Sequence, residues 1–234
     1  MKMVRFPSVS ISDIDLLKKT HLAIVAGDNT TAKLCRRLGL SRTNIYKIIS
    51  ILEALNLIKK NKTKRRNIYM PLKKKFVFSD AFLSNGFVIE VLRLIFNGMK
   101  SRKNIAKNIS TQPKNVLGSI SAVASIARKA GLMRNQRSYK LTPEGERQIF
   151  RLYLLDTYNK IVEKKDSKIV EIPELRKELS RYLVFSRRKF EMLLLDLEKT
   201  DTNVQLSTAP VLNDFIRKEG IKTESGIIYY FSYG

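Results

Sequence analysis

Arg42, Thr43, Asn44, Tyr46 and Lys47 put five hydrogen-bonding side chains into six consecutive positions, and none of the five is acidic. Guanidinium, amide and hydroxyl groups suit the donor and acceptor edges of base pairs, and cationic groups suit phosphate. A second cluster follows closely. Six of the eight residues from Lys59 to Arg66 are cationic, namely Lys59, Lys60, Lys62, Lys64, Arg65 and Arg66, and the other two are neutral. Their mutual repulsion is easiest to explain if phosphates are the intended neighbours.

Positioning these groups requires a defined local order. Thr30 to Leu38 reads as a short helix that Gly39 ends, and Ser41 offers a hydroxyl to cap the next helix. From there Ile45, Ile48, Ile49, Leu52 and Leu55 recur at helical spacing and predict one apolar stripe. The opposite face carries Thr43, Lys47 and Ser50, with Arg42, Asn44 and Tyr46 near the helix start. Leu57–Lys60 and Asn67–Leu72 then alternate like paired strands around the cationic cluster.

The run LCRRLGLSRTNIYKIISILEALNLIKK, followed by KRRNIYMPL, resembles the winged-helix DNA-binding domains of MarR-type and related archaeal regulators. That resemblance covers about the first third of the chain, and winged helices also serve as protein-docking modules. It implies that Ser41 to Lys47 enter a major groove, with Arg42, Thr43, Asn44 and Lys47 touching base edges or phosphates. It also makes the hairpin a wing whose Lys62, Lys64, Arg65 and Arg66 straddle the adjacent minor groove.

The plan recurs twice. Phe87–Asn97 and Arg102–Ile109 read as helices, and Thr111 as the cap of a third that runs to about Ala130. Lys114, Asn115, Gly118 and Ala122 are expected to face away from its apolar side, leaving a surface that could lie close to a nucleic-acid backbone. KAGLMRNQRSYKLTPEGE resembles the wing and exit of winged-helix regulators, so Lys114, Arg134, Arg137 and Lys140 are expected to make phosphate contacts. Thr142-Pro143-Glu144 starts a helix to about Val162 with apolar residues all round. The resemblance makes that helix a homodimer contact; the alternative is a bridge within one chain. Farther on, Pro173–Tyr182, a helix capped by Ser186, strands at Val204–Ser207 and Ile227–Phe231, and a helical insertion at Pro210–Gly220 complete a weaker third copy. There Arg188, Met192, Leu195 and Lys199 face outward with Glu191 and Asp196 beside them, a pattern that suits a protein partner.

The expected fold class is mainly α with small β-hairpins (α+β), arranged as tandem winged helix-turn-helix modules. Expected domains are 1–78, 79–150 with an exit helix to about 162, and 163–234. Charge is graded along them: 18 cationic against 4 acidic residues over 1–78, 12 against 4 over 79–150, and 15 against 13 over 151–234. Within the total of +24, the nucleic-acid footprint should therefore be strongest at the amino end.

Cys35 and His21 are the chain's lone cysteine and lone histidine, and both read as packing residues. Metal-ligand spacing, phosphate-loop glycines and Ser-His-Asp chemistry are all absent, so no cofactor is expected. An enzymatic reading would rest on Tyr229 or Tyr230, whose alternation with Ile227, Ile228 and Phe231 looks like a packed strand. No apolar run reaches the roughly 18 residues of a membrane span. Double-stranded DNA is thus the expected partner of a cytoplasmic, nucleoid-associated, non-enzymatic protein. Its role would be a transcription regulator; the alternatives are an origin-binding factor, because the chain also resembles archaeal winged-helix initiators and their Cdt1-like relatives, and a protein-assembly scaffold.

Overall fold

The computed structural model describes residues 6–8, 13–63, 67–209 and 213–234. The chain is α+β, with helices accompanied by small antiparallel sheets, and divides into two compact units, Met1–Thr142 and Pro143–Gly234.

In the first unit, α1 (Ile14–Val25) starts where the Asp13 carboxylate accepts from Leu16 N–H at 3.0 Å. Next comes α2 (Thr31–Leu38), capped by the Thr30 hydroxyl and ended at Gly39, whose φ of 65° is a left-handed conformation that favours glycine. Then α3 (Arg42–Ala54) begins at Ser41, whose hydroxyl accepts from Asn44 N–H at 3.3 Å. Ile45, Ile48, Ile49, Leu52 and Leu55 are all buried, so the predicted stripe fixes the rotation of α3 about its axis. Strands β1 (Ile58–Lys62) and β2 (Asn67–Pro71) pair antiparallel from Ile58–Pro71 to Lys62–Asn67. Buried Tyr69 ties this hairpin to the helices: its N–H donates to Asn29 O at 2.8 Å, and its hydroxyl shares a 2.9 Å hydrogen bond with Thr31.

The segment 73–84 packs as part of the unit. Phe76, Phe78 and Phe82 form a chain of aromatic contacts, the last two residues lying in the short α4 (Phe78–Phe82). Asn85 caps α5 (Gly86–Phe96) by accepting from the N–H groups of Phe87 and Val88, while its amide donates to Ala54 O at 2.8 Å. That one side chain joins the carboxyl end of α3 to the amino end of α5. The first compact unit holds residues 1–142, so the first expected module and the second as far as Thr142 share it, while residues 143–162 fall in the other unit.

After α6 (Arg102–Ile109), the predicted helix start at Thr111 is corrected. Pro113 opens a single 3-10 turn, Pro113–Val116, and α7 spans Leu117–Lys129. A proline disfavours the helical conformation in the residue before it, and Gln112 is accordingly non-helical at φ −114° and ψ 77°. The second expected wing is minimal: Met133 and Leu141 form a single antiparallel bridge, backed by a hydrogen bond from Arg134 N–H to Lys140 O at 2.9 Å.

The second unit is organised on α8 (Pro143–Lys165). Phe150 meets Phe190 edge-on, Tyr158 meets Phe231 edge-on, and Tyr158 donates to Lys168 O at 2.7 Å. The all-round apolar helix thus has its partners in its own unit. Two-residue β3 (Val170–Glu171) leads into α9 (Ile172–Leu179), and Ser186 caps α10 (Arg187–Thr200). The remaining elements are β4 (Val204–Thr208), α11 (Asp214–Glu219), β5 (Ile221–Thr223) and β6 (Gly226–Tyr233). Central β6 pairs with β4 along one edge and with β5 and β3 in succession along the other. Arg151 donates to the Asp201 carboxylate at 2.8 Å and to the Tyr233 hydroxyl at 3.1 Å, pinning the end of β6 to α8. Burial raises the Asp201 carboxyl, but hydrogen bonds from Arg151 and the Asn203 backbone outweigh it and leave the group below the usual aspartate range.

Candidate nucleic-acid interface

Because the isoleucine stripe is buried, the first turn of α3 must turn its other side outward. Arg42, Thr43 and Asn44 are exposed, Tyr46 is 46% exposed, and Lys47 is half-buried. The Ser50 hydroxyl donates to Lys47 O at 2.7 Å and so stays within the helix instead of projecting a free donor.

A recess of about 510 Å³ joins this turn to the start of α2 and the end of the hairpin. Thr30, Thr31 and Ala32 line one side, Arg42 and Tyr46 another, and Thr63 and Asn67 the third. Among the described residues, no carboxylate lines it. The amino-terminal peptide dipoles of α2 favour an anion at its opening, as does the Arg42 guanidinium. Burial pushes the Tyr69 phenol up from its ordinary value, and the Thr31 hydrogen bond opposes the shift only in part. Tyr69 therefore remains a neutral strut behind the recess. The threonines of this wall were not candidates from sequence, although Thr30 was readable as the first residue of its helix segment.

The hairpin splits the predicted cations. Lys60 stands opposite buried Tyr69, so Lys60 and Lys62 share the face of Ile58 and Tyr69, while Lys59 falls on the reverse face opposite Met70. Lys59 and Lys62 are exposed and Lys60 is half-buried. Lys64, Arg65 and Arg66 lie outside the described residues.

A second basic region lies later in the same unit. From Asn97 to Thr142 the chain holds ten Lys and Arg residues and no Asp or Glu. Lys114 and Asn115 are exposed on the 3-10 turn, where the Asn115 amide donates to Gln112 at 2.6 Å. Arg134, Arg137 and Lys140 are exposed around the Met133–Leu141 bridge. Arg128, not singled out from sequence, braces this loop: its guanidinium donates to Arg134 O and Gln136 O, each at 3.3 Å, and lies 5.4 Å from the Tyr139 ring centroid.

The expected open face of α7 is corrected. Ala122 is 3% exposed, and a Cβ on Gly118 would come within 1.8 Å of the Ser8 hydroxyl oxygen. Residues on nearly every side of α7 are buried, from Ser119 and Ile120 to Val123, Ala124 and Ala127, so the helix is interior and its glycine admits the chain's own Ser8.

In the second unit Arg188 is exposed, Met192 is 57% exposed and Leu195 is half-buried along α10. Tyr229 is buried with its hydroxyl 3.3 Å from Glu171; burial first, then that carboxylate, push its phenol up to about 12, so it stays protonated at neutral pH. Tyr230 is half-buried and meets Tyr229 edge-on. Cys35 is half-buried and His21 fully buried against Phe76, with ring centroids 5.5 Å apart. Among the described residues, no group of three or more His, Cys, Asp or Glu side chains could hold a metal ion, and no helix is long and apolar enough to cross a membrane.

No protein-family model matches the chain, and no characterised protein matches it significantly.

Proposed function

We propose that this chain is a non-enzymatic double-stranded DNA-binding protein built on winged-helix modules, and that it acts as a site-specific transcription regulator. The observation that carries the reading is the recess between α2, α3 and the hairpin, which no carboxylate lines among the described residues, with Arg42 and Tyr46 on its wall and Asn44 exposed beside it. In this reading the start of α3 lies in a major groove, where Arg42 and Asn44 have the donor geometry for bidentate base contacts. Thr43 and Lys47 reach phosphates or flanking base edges. Lys60 and Lys62 carry the hairpin along the sugar–phosphate backbone, and Lys64, Arg65 and Arg66 extend the same charge. Lys59, on the reverse face, adds to the field more than to contact.

Lys114, Arg134, Arg137 and Lys140 supply sequence-independent phosphate contacts, in a stretch where no acidic side chain opposes them. A homodimer through residues 143–162 is not part of the proposal, because Phe150 and Tyr158 of that helix are already engaged by Phe190 and Phe231. The role keeps the protein at the nucleoid in the cytoplasm.

The test begins with selection of a preferred duplex from a random library. Arg42→Ala or Asn44→Ala should then cost about 1 to 3 kcal/mol on the selected duplex and relax the preference at one base pair. Equal losses on selected and random duplexes would remove base reading by α3. Genome-wide occupancy at promoters supports the regulatory role, and a single dominant site at an origin replaces it with initiation.

A further inference from the structure

The second unit carries a groove that nucleic-acid binding leaves unused. It encloses about 620 Å³ along α10, bounded by Pro143 and Glu146 of α8 and by Ile221 and Lys222 of β5. Arg188, Met192, Leu195 and Lys199 follow one another at i, i+4, i+7 and i+11, a stripe about 16 Å long on one helix face. Met192 is 57% exposed in the middle of the stripe, half-buried Leu195 continues it, and buried Leu193 and Ile221 close the floor. Methionine and leucine side by side make an apolar surface that adapts to its occupant.

Charge around the groove is asymmetric in a useful way. Its three carboxylates are already answered within the unit: Asp196 by Arg147 at 2.7 Å, Glu146 by Lys189 at 3.1 Å and Glu191 by Arg187 at 2.7 Å. Arg188, Lys199 and Lys222 are exposed and, among the described residues, pair with no carboxylate. An apolar floor therefore sits among three uncompensated cations.

We infer that this groove docks an acidic amphipathic helix of a partner protein. Apolar side chains at i, i+3, i+4 and i+7 of that helix enter between Met192, Leu195 and Ile221, and flanking carboxylates pair with Arg188, Lys199 and Lys222. A duplex backbone fits less well, because phosphate offers nothing to Met192 and meets the rim carboxylates. The inference stands apart from the DNA-binding reading, since it uses a different unit and different residues.

The experiment uses the full chain and a fluorescent peptide of about four helical turns, with leucines at i, i+3, i+4 and i+7 and glutamates at flanking positions. Two controls accompany it, one with lysine for each glutamate and one with the residues in scrambled order. In anisotropy titrations the glutamate peptide should bind at least about tenfold more tightly than either control, and Met192→Asp should weaken it by about tenfold or more. Arg188→Glu combined with Lys199→Glu should weaken it comparably. Circular dichroism and duplex affinity, measured on the same samples, should be unchanged in both variants. Equal binding of the three peptides, or indifference to both variants, overturns the proposal. So does parallel loss of duplex affinity, which would make the groove a nucleic-acid surface.

Discussion

Replacing Asn85 with alanine removes three hydrogen bonds at the joint between the first two helical clusters. The side chain is 6% exposed, accepts from Phe87 and Val88 N–H at 3.0 and 3.1 Å, and donates to Ala54 O at 2.8 Å. Loss of a helix cap costs about 1 kcal/mol, and loss of a part-buried amide-to-carbonyl bond about another. A total near 2 kcal/mol in a unit of this size lowers its melting temperature by roughly 6 to 10 °C. Asn85→Ser separates the two contributions, because serine caps a helix about as well as asparagine but is too short to reach Ala54; it should recover about half of the loss. Urea and thermal denaturation of the full chain, followed by far-UV circular dichroism, measure both variants. The chain has no tryptophan, so fluorescence would have to rely on its tyrosines. A loss below about 0.5 kcal/mol for Asn85→Ala, less than a lost cap or a lost buried hydrogen bond costs alone, would refute the view that this residue fastens α3 to α5.

Three further outcomes are expected. His21 is fully buried, neither ring nitrogen has a hydrogen-bond partner among the described residues, and burial holds its pKa below 6.5 against weaker approaches of the Lys73 and Leu57 backbone. Its contribution to stability is fully present above pH 6.5 and falls as pH drops from there toward the lowered folded value, so His21→Leu should flatten the stability profile below about pH 6.5; an unchanged slope assigns the acid sensitivity elsewhere. Gly118→Ala should destabilise by about 1 kcal/mol despite alanine's better helix propensity, because the added carbon meets Ser8, and Ser8→Gly in the same chain should restore the loss; additive losses in the double variant contradict the contact. Alanine at Lys60 and Lys62 should flatten the logarithmic salt dependence of duplex binding by about one unit for each phosphate contact removed, whereas Lys59→Ala should change it less; an unaltered slope means that the hairpin points elsewhere.

Local signals carried much of the fold. Gly39 and Ser41 bracket the turn between α2 and α3 as their chemistry requires, and the stripe from Ile45 to Leu55 is buried throughout. The hairpin at Ile58–Pro71, the cap at Ser186 and the pairing of β4 with β6 were also legible, because each rests on neighbours or on plain alternation. What was not legible depends on distant partners or on very short elements. Two-residue β3 and three-residue β5 are too short to show a period, and β6 alone makes them strands. Gly118 looked available because nothing near it in sequence announces Ser8 as a neighbour, and the burial of Ala122 likewise depends on packing that local sequence does not show. Pro113 is the local cue against a helix start at Thr111, since it disfavours the helical conformation at Gln112.

The site was legible unevenly for the same physical cause. Arg42, Asn44 and Tyr46 followed from the stripe beneath them, but the division of Lys59 from Lys60 and Lys62 needed the strand register. Thr31 and Asn67 joined the recess only through tertiary packing, and Arg128 acquired its bracing role from a loop it meets six to eleven residues later.

The most direct measurement is the affinity of the full chain for a random-sequence duplex of about 20 base pairs, titrated by anisotropy between roughly 50 and 200 mM salt. Binding that weakens by about a thousandfold or more over that range, as six or more phosphate contacts require, is the predicted result. No binding at the lowest salt, or binding insensitive to salt, would contradict a role for these cations on DNA.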